Sequence, residues 1–178
     1  MSAGLLEIFL KLDGIDGEST VRGHEKEMFI LSYEQSVDAA AGMVGGGGAI
    51  AKASFSGVRF RKPVDKASIA LSLACASGAS IATARFTFRR ITAAVPVEHY
   101  KVMLDEVRVT SIAQRAGAGP QYPLSFDTLA AGPEASGLLD EAMLDYVRIR
   151  WEYQVLDAAG APAGMLSGGW DRKLNKKI

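Results

Sequence analysis

Residues 147–155 read Val-Arg-Ile-Arg-Trp-Glu-Tyr-Gln-Val, so that large apolar side chains alternate with charged or polar ones. Successive side chains of a β-strand point to opposite faces, and this period of two therefore predicts a strand with one buried face and one exposed face. An amphipathic helix would instead place its apolar residues three and four positions apart. The stretch indicates a mostly β fold.

The same alternation recurs earlier in the chain, in residues 6–12, 29–34, 85–91 and 100–104. Beyond residue 104 the apolar positions shift by one, to Val107 and Val109. Such a shift indicates a bulge near Asp105 or a change of partner sheet. We expect a β-barrel of two packed antiparallel sheets, in a single domain that spans residues 1–178.

One segment has the features of a helix. Asp65 is a favourable N-cap residue, and Gly78 is placed to end the helix in a left-handed conformation. Between them the stripe Ile69, Leu73 and Ala76 has helical spacing. We expect one α-helix, packed on the side of the barrel through this stripe.

A long extended loop is expected after the second strand, over residues 36–54, because no strand or helix signal interrupts this segment. Loops of this length inside a compact domain are usually functional or disordered. The glycine block inside it lacks the Gly-Lys-Ser/Thr ending of a phosphate-binding loop. Shorter loops are expected over residues 113–121 and 130–137, and a basic C-terminal tail over residues 171–178.

The composition limits the function classes. The chain has 178 residues, of which 48% are hydrophobic and 22% charged, as in folded globular proteins. Its 20 basic and 20 acidic residues cancel, so no overall field attracts nucleic acid. The apolar stretches fall short of the roughly 20 residues that cross a bilayer, and the first residues lack the basic segment of a signal peptide. We therefore expect no nucleic-acid partner, no membrane insertion and no cleaved signal peptide.

The residues that usually carry chemistry form no recognisable constellation. His24 and His99 are the only histidines and Cys75 is the only cysteine, and no two of them have a metal-ligand spacing. A single cysteine excludes an internal disulfide, fits a reducing compartment, and in an apolar helix is more often a small buried residue than a nucleophile. The adjacent carboxylates Asp105 and Glu106 would point to opposite faces of a strand. We predict no enzymatic activity, no cofactor and no metal.

Two aromatic residues occupy positions where exposure to solvent is expected. Phe9 lies on the otherwise polar face of the first strand, and Trp170 precedes the basic tail. Exposed aromatic residues often mark surfaces for protein partners. Both are therefore candidates for such a surface.

Four parts of the chain resemble the Hcp family, the haemolysin-coregulated tube protein of bacterial type VI secretion. They follow the order of the family over nearly the whole chain, and the second of them is the most specific match. These parts are residues 8–19 with their Gly-Glu-Ser turn, 61–78, 98–111 and 169–177.

The resemblance implies a β-barrel with a helix on its side and a homohexameric ring that stacks into a tube. In that family the tube lies inside a contractile sheath, meets the VgrG spike protein at its tip and carries effector proteins in its lumen. The protein would be cytoplasmic before firing and extracellular afterwards. The resemblance further implies Glu34 as a residue of the lumen. The candidates for ring or stacking contacts are Phe9 and Trp170, from their expected exposure, and residues of the extended loop, which in the family reaches towards a neighbouring ring. These loop residues are Met43, Val44, Gly45, Gly46, Gly47, Gly48 and Ile50.

Two other function classes stay open on the residues alone. One is a β-barrel module that binds a small ligand, and the other is a hydrolase whose site has no recognisable motif. A ligand-binding barrel would contain a pocket inside the single chain. A tube subunit would instead have a core filled by side chains, with the lumen between subunits.

Overall fold

The computed structural model describes residues 5–39, 53–92, 95–118, 136–157 and 162–178. The fold is mostly β with one helix, as predicted. In chain order its elements are β1 (Leu5–Leu12), β2 (Met28–Ile30), β3 (Ser32–Glu34), β4 (Val37–Ala39), β5 (Ala53–Phe55), β6 (Val58–Pro63), α1 (Ala67–Ser77), β7 (Ser80–Thr92), β8 (Val95–Ala118), β9 (Ser136–Asp145), β10 (Arg148–Leu156), β11 (Pro162–Asp171) and β12 (Lys176–Lys177).

Ten strands form one antiparallel network with two branches, and β4 and β5 pair with each other. The first branch, called here the large sheet, has the order β12-β11-β10-β8-β7-β1-β2. The second, called the small sheet, has the order β3-β6-β9-β8. The chain crosses from one sheet to the other at Leu31, whose amide donates a hydrogen bond to the Arg61 carbonyl at 2.8 Å. This crossing joins the two sheets into the predicted barrel.

Strand β8 belongs to both sheets, and this explains the shift of its apolar positions. Its residues 100–105 pair with β10, and its residues from 108 onward pair with β9. Leu104 and Val107 are both buried although they differ in parity. Between them Glu106 has a φ of 55°, in the left-handed region, so the strand turns its other face to the core there. The predicted change of partner sheet is confirmed.

One apolar core lies between the two sheets. The ring of Phe60 on β6 meets the ring of Phe86 on β7, with 5.8 Å between centroids. Tyr33 on β3 contacts Phe86 and Phe88 edge-on, at 5.0 Å in each case. The interior is therefore filled by aromatic side chains that come from both sheets.

The strand predicted from residues 147–155 is present as β10, but its inner face is not buried throughout. Ile149 is fully buried, Trp151 is half-buried and Tyr153 is 47% exposed. The residue paired with Tyr153 on β11 is Leu166, which is 65% exposed. The face of the large sheet that packs on the core near Ile149 is thus exposed to solvent near Tyr153 and Leu166, because the small sheet does not extend over it. Alternation predicts a strand but not how far the opposite sheet extends over it.

The helix packs through a different face from the predicted one. Leu71 and Ala74 belong to the core, whereas Ile69 and Leu73 are 72% and 65% exposed. Burial of the stripe through Ile69 and Leu73 was therefore a wrong expectation. The reason is that α1 is apolar around most of its circumference, so its hydrophobic pattern alone does not select the face that is buried.

The ends of the helix largely follow the sequence. Gly78 has a φ of 65° and its amide donates to the Cys75 carbonyl, which is the predicted left-handed ending. At the other end Lys66 occupies the N-cap position and makes no capping bond with its side chain. The carboxylate of Asp65 instead accepts the Ala67 amide at 2.9 Å. Asp65 thus satisfies a free helix amide from one position further upstream than expected.

Three segments expected to be loops contain strands. The segment 36–54 begins with β4 and ends with β5, which pair with Val37 opposite Phe55, and we call this pair the arm base. Residues 113–118 continue β8, and residues 136–137 begin β9. These residues are mostly small, and their strand state comes from pairing with distant residues, which a local pattern does not reveal.

We predict that the two leucines of α1 differ sharply in their effect on stability. Leu71→Ala lowers the free energy of unfolding by about 2–5 kcal/mol, because it leaves a cavity in the core. Leu73→Ala changes it by no more than about 0.5 kcal/mol, because the side chain is largely exposed. Urea denaturation of the two variants at a low protein concentration measures both values. Equal losses would contradict the observed orientation of the helix.

Candidate interaction surfaces

The described part of the chain contains no group of three or more histidine, cysteine or acidic side chains that could hold a metal ion. Cys75 is a free cysteine and is half-buried on α1, less enclosed than expected. Within the described ranges no helix has the length and hydropathy needed to span a membrane.

Phe9 does not lie on the surface. It is 1% exposed, because the loop between β1 and β2 folds over the outer face of the large sheet. The His24 ring stacks on Phe9 with 4.2 Å between centroids, and the Arg89 guanidinium lies 5.2 Å from the ring centroid. The expectation that Phe9 is exposed is wrong, and its buried ring is not available as a partner contact.

A set of charged contacts holds this loop on the large sheet. His24 Nδ1 lies 2.8 Å from a Glu27 carboxylate oxygen, and its Nε2 lies 3.3 Å from Glu98. Glu27 also accepts a hydrogen bond from Arg85 at 3.0 Å. Burial by itself would raise the pKa of Glu98, but the hydrogen bond and charge of Lys101 outweigh it and hold that pKa below its ordinary value. Both histidine nitrogens are thus engaged by carboxylates.

A buried lysine connects the helix to the small sheet. Lys62 and Asp140 are paired in register on β6 and β9, and both side chains have 0% exposure. The ammonium of Lys62 lies 3.0 Å from Asp140 and 2.6 Å from Asp65. Ser68, in the first turn of α1, donates its hydroxyl to Asp140 and accepts a hydrogen bond from Lys62 at 3.1 Å. Gln114 on β8 donates to the other Asp140 oxygen at 3.3 Å.

This buried cluster sets the orientation of α1. Because Ser68 must face Asp140, the residues next along that side of the helix, Leu71 and Ala74, turn toward the core. Ile69 and Leu73 are consequently presented to solvent as an apolar stripe. The stripe is a candidate contact surface. The sequence reveals its helical spacing but does not reveal that it is exposed.

Trp170 is only partly exposed. Its ring lies 6.1 Å from that of Phe55 in the arm base, and both border a surface cavity of about 510 Å³. Tyr146, Arg172 and Lys173 also line this cavity. Trp170 is thus a wall of a cavity beside the arm base, and not an isolated aromatic residue in solvent.

The basic C-terminal segment is folded onto the barrel. Lys177 pairs with Trp170 in register, and the buried Asp171 accepts the Leu174 amide at 2.7 Å. Arg172 binds Asp145 at 2.6 Å and lies over the Tyr146 ring at 4.6 Å. Residues 171–178 are therefore part of the fold, because β12 pairs with β11 and Arg172 binds Asp145 at the end of β9.

Glu34 is exposed on β3, on the side of the small sheet that faces away from the core, opposite Arg59 of β6. The remaining interface candidates lie outside the described residues. These are Met43, Val44, Gly45, Gly46, Gly47, Gly48 and Ile50.

Comparison with known proteins gives a consistent result. Residues 9–153 match the family described as Type VI secretion system effector, Hcp. The chain is 26% identical to Protein hcp1 of Pseudomonas aeruginosa, over 96% of this chain and 97% of the relative. It is 29% identical to the crystal structure of Hcp1 from Salmonella typhimurium, with a TM-score of 0.72 and coverage of 99% and 100% of the two chains. A solved type six secretion system protein shares the fold, with 24% identity, a TM-score of 0.80 and coverage of 98% and 100%.

We predict that the buried lysine is far more important for stability than an exposed one. Lys62→Met lowers the free energy of unfolding by about 3–5 kcal/mol, because Asp140 is left buried without its countercharge. The matched control is Lys26→Met. It breaks a pair with Asp16 in which both side chains are mostly exposed, and it costs about 0–1 kcal/mol.

Urea denaturation of the two variants provides the measurement. Restoration of part of the lost stability in Lys62→Met/Asp140→Leu would confirm that the cost comes from the stranded charge. A loss below about 1 kcal/mol for Lys62→Met would show that the cluster does not hold the helix.

Proposed function

The chain belongs to the Hcp family of type VI secretion proteins, and from this membership we propose that it is a structural subunit of the secretion tube. Copies of it form a homohexameric ring, the rings stack, and the tube is exported with effector proteins in its lumen. The observation that carries the proposal is the family match over residues 9–153, together with a likeness of fold that extends along nearly the whole chain.

The surface of the single chain supports an assembling subunit. The largely exposed apolar residues include Ile69 and Leu73 on α1 and Met165 and Leu166 on β11. Exposed apolar groups that cluster on an element favour contact with another protein. A ring needs two different surfaces on each copy that meet head to tail, and the helix and the edge of the large sheet are two such surfaces. A net charge of zero lets identical copies approach without strong repulsion.

The segment 36–54 is proposed as the contact between stacked rings. Its arm base is a strand pair separate from the barrel network, which suits a segment that reaches outward. Met43, Val44 and Ile50 are its apolar docking groups, with Gly45, Gly46, Gly47 and Gly48 between them. Trp170, beside the arm base, is proposed as part of the same contact. Phe9 is not, because it is buried.

The remaining partners follow from the same role. The tube is proposed to lie inside a contractile sheath, to meet a VgrG spike at its tip and to pass from the cytoplasm to the exterior without a cleaved signal peptide. Glu34 is proposed to face the lumen. The protein acts as a carrier and not as an enzyme.

The filled core favours this role over a barrel that binds a small ligand. Phe60, Phe86 and Tyr33 occupy the space that a ligand would need inside the barrel. A hydrolase, the other alternative, has no catalytic set to support it among the described residues.

We predict that the purified chain forms rings. Native mass spectrometry at micromolar concentration will show a mass six times that of the chain, and negative-stain images will show particles with a central hole. Monomers alone over a hundredfold range of concentration would contradict the proposal, as would a compact particle without a hole.

We predict that residues 41–49, between the two strands of the arm base, are dispensable for folding and required for stacking. Deletion of residues 41–49 leaves the far-UV circular dichroism and the cooperative melting of the barrel in place, because the flanking strands β4 and β5 pair with each other and not with the barrel network. The variant forms single rings but fewer stacks, and its export falls. The matched control replaces residues 41–49 with nine Gly/Ser residues, which keeps the length and removes Met43 and Val44. Unchanged stacking and export in both variants would rule out residues 41–49 as the stacking contact.

A further inference from the structure

The outer face of the small sheet carries a concentration of arginines. Arg59 and Arg61 alternate along β6 with buried residues, so their side chains point away from the core. Arg108 and Arg115 are exposed on the adjoining part of β8, which pairs with β9. We call the surface made by these four side chains the arginine face, and Glu34 lies at its edge on β3.

The acidic residues on this side do not balance the arginines. Glu141 pairs with Arg61 at 2.9 Å, and Asp145 pairs with Arg172 of the C-terminal segment at 2.6 Å. No ion pair within 4 Å engages Arg59, Arg108 or Arg115 in the described part of the chain. Glu34 lies opposite Arg59 in the register but forms no ion pair with it. The face therefore keeps an excess of positive charge.

The outer face of the large sheet differs in this respect, because its arginines have carboxylate partners. Arg85 binds Glu27, Arg89 binds Glu7, and Arg148 and Arg150 both contact Asp105. The chain as a whole has no net charge. The unpaired arginines are thus a local property of the small sheet and do not follow from a basic composition.

We propose that the arginine face binds proteins that present an acidic surface. Exposed guanidinium groups bind carboxylates through two parallel hydrogen bonds, so three unpaired arginines are complementary to clustered Asp and Glu side chains. Met143 lies beside Arg59 in the register and adds an adaptable apolar contact at the middle of the face. A neutral chain with few unpaired cations suits a protein partner better than nucleic acid, whose binding is driven by many phosphate contacts. The identification of these proteins as exported cargo rests on the proposed function, whereas the binding preference itself does not.

The test measures binding of fluorescent peptides to the full-length chain by anisotropy at 50 mM salt. The probes are a 20-residue peptide of alternating Glu and Gly and its Lys/Gly counterpart. We expect the chain to bind the Glu/Gly peptide and not the Lys/Gly peptide, and the binding to weaken as salt is raised to 300 mM because exposed charges are screened. Arg59→Gln/Arg108→Gln weakens binding about fivefold or more, whereas Arg59→Lys/Arg108→Lys keeps most of it. Glu34→Gln strengthens it, because the unpaired carboxylate on the face is removed.

The matched control is Lys11→Gln/Arg22→Gln, at two exposed positions on β1 of the large sheet and in the loop that follows it. It removes the same charge from exposed residues elsewhere on the chain and changes binding less than twofold. Equal loss in the two double variants would overturn the proposal, since the effect would then be one of net charge. Equal binding of the two peptides, or tighter binding of a single-stranded 20-nucleotide oligouridine than of the Glu/Gly peptide, would overturn it as well.

Native mass spectrometry of the same samples separates this inference from the proposed function. Hexamers that do not bind the Glu/Gly peptide refute only the arginine face. Monomers that bind it in an Arg59-dependent way refute only the ring.

Discussion

The contact between Lys62 and Asp140 is the constraint on which the arrangement of the other elements depends. The two charges are paired in register on neighbouring strands and fully buried, so a slip of β6 against β9 by one residue would separate them. Removing two charges from water is unfavourable unless their remaining hydrogen-bonding capacity is satisfied. Asp65, Ser68 and Gln114 satisfy it, and two of these lie at the start of α1. The cluster thereby fixes three things together, which are the register of the small sheet, the position of the helix and the face that the helix buries.

The exposure of the apolar stripe on α1 follows from this arrangement. Because Ser68 faces the sheet, Ile69 and Leu73 face solvent, although their side chains are as apolar as many in the core. The long strand β8 separates the outer faces of the two sheets, because it takes part in both sheets and turns its other face to the core at Glu106. The large sheet then has an outer face on which the loop carrying His24 covers Phe9 and the arginines bind carboxylates. The small sheet has an outer face on which three of four arginines, namely Arg59, Arg108 and Arg115, have no ion-pair partner among the described residues.

This division of surfaces fits the proposed tube subunit, which would act through contacts with other proteins. The core is filled by aromatic rings from both sheets, and the cavity of about 510 Å³ lies at the surface beside the arm base. The tube role proposed from membership of the Hcp family would give these surfaces a common purpose, because such a tube would need contacts around the ring, contacts between rings and a wall that faces the cargo. The helix stripe, the arm base and the arginine face are separate parts of the molecule, so each of these tasks could be served without interfering with the others.

The sequence by itself determined the element types. Alternation predicted the strands around Phe86, Leu104 and Ile149, Gly78 ended the helix as expected, and the motifs of residues 61–78 pointed to the family. These features are local, because a period of two or a left-handed glycine reflects the geometry of a few neighbouring residues. Which of the apolar and charged side chains are buried or paired was decided only by the tertiary structure. Phe9 is covered by a loop that brings His24 onto it, and Leu73 is exposed because Ser68 bonds to Asp140, 72 residues away. Arg59 has Glu34 and Met143 as register neighbours and forms no ion pair within the described residues. Each of these outcomes depends on residues that are distant in the chain, so no local pattern contains them.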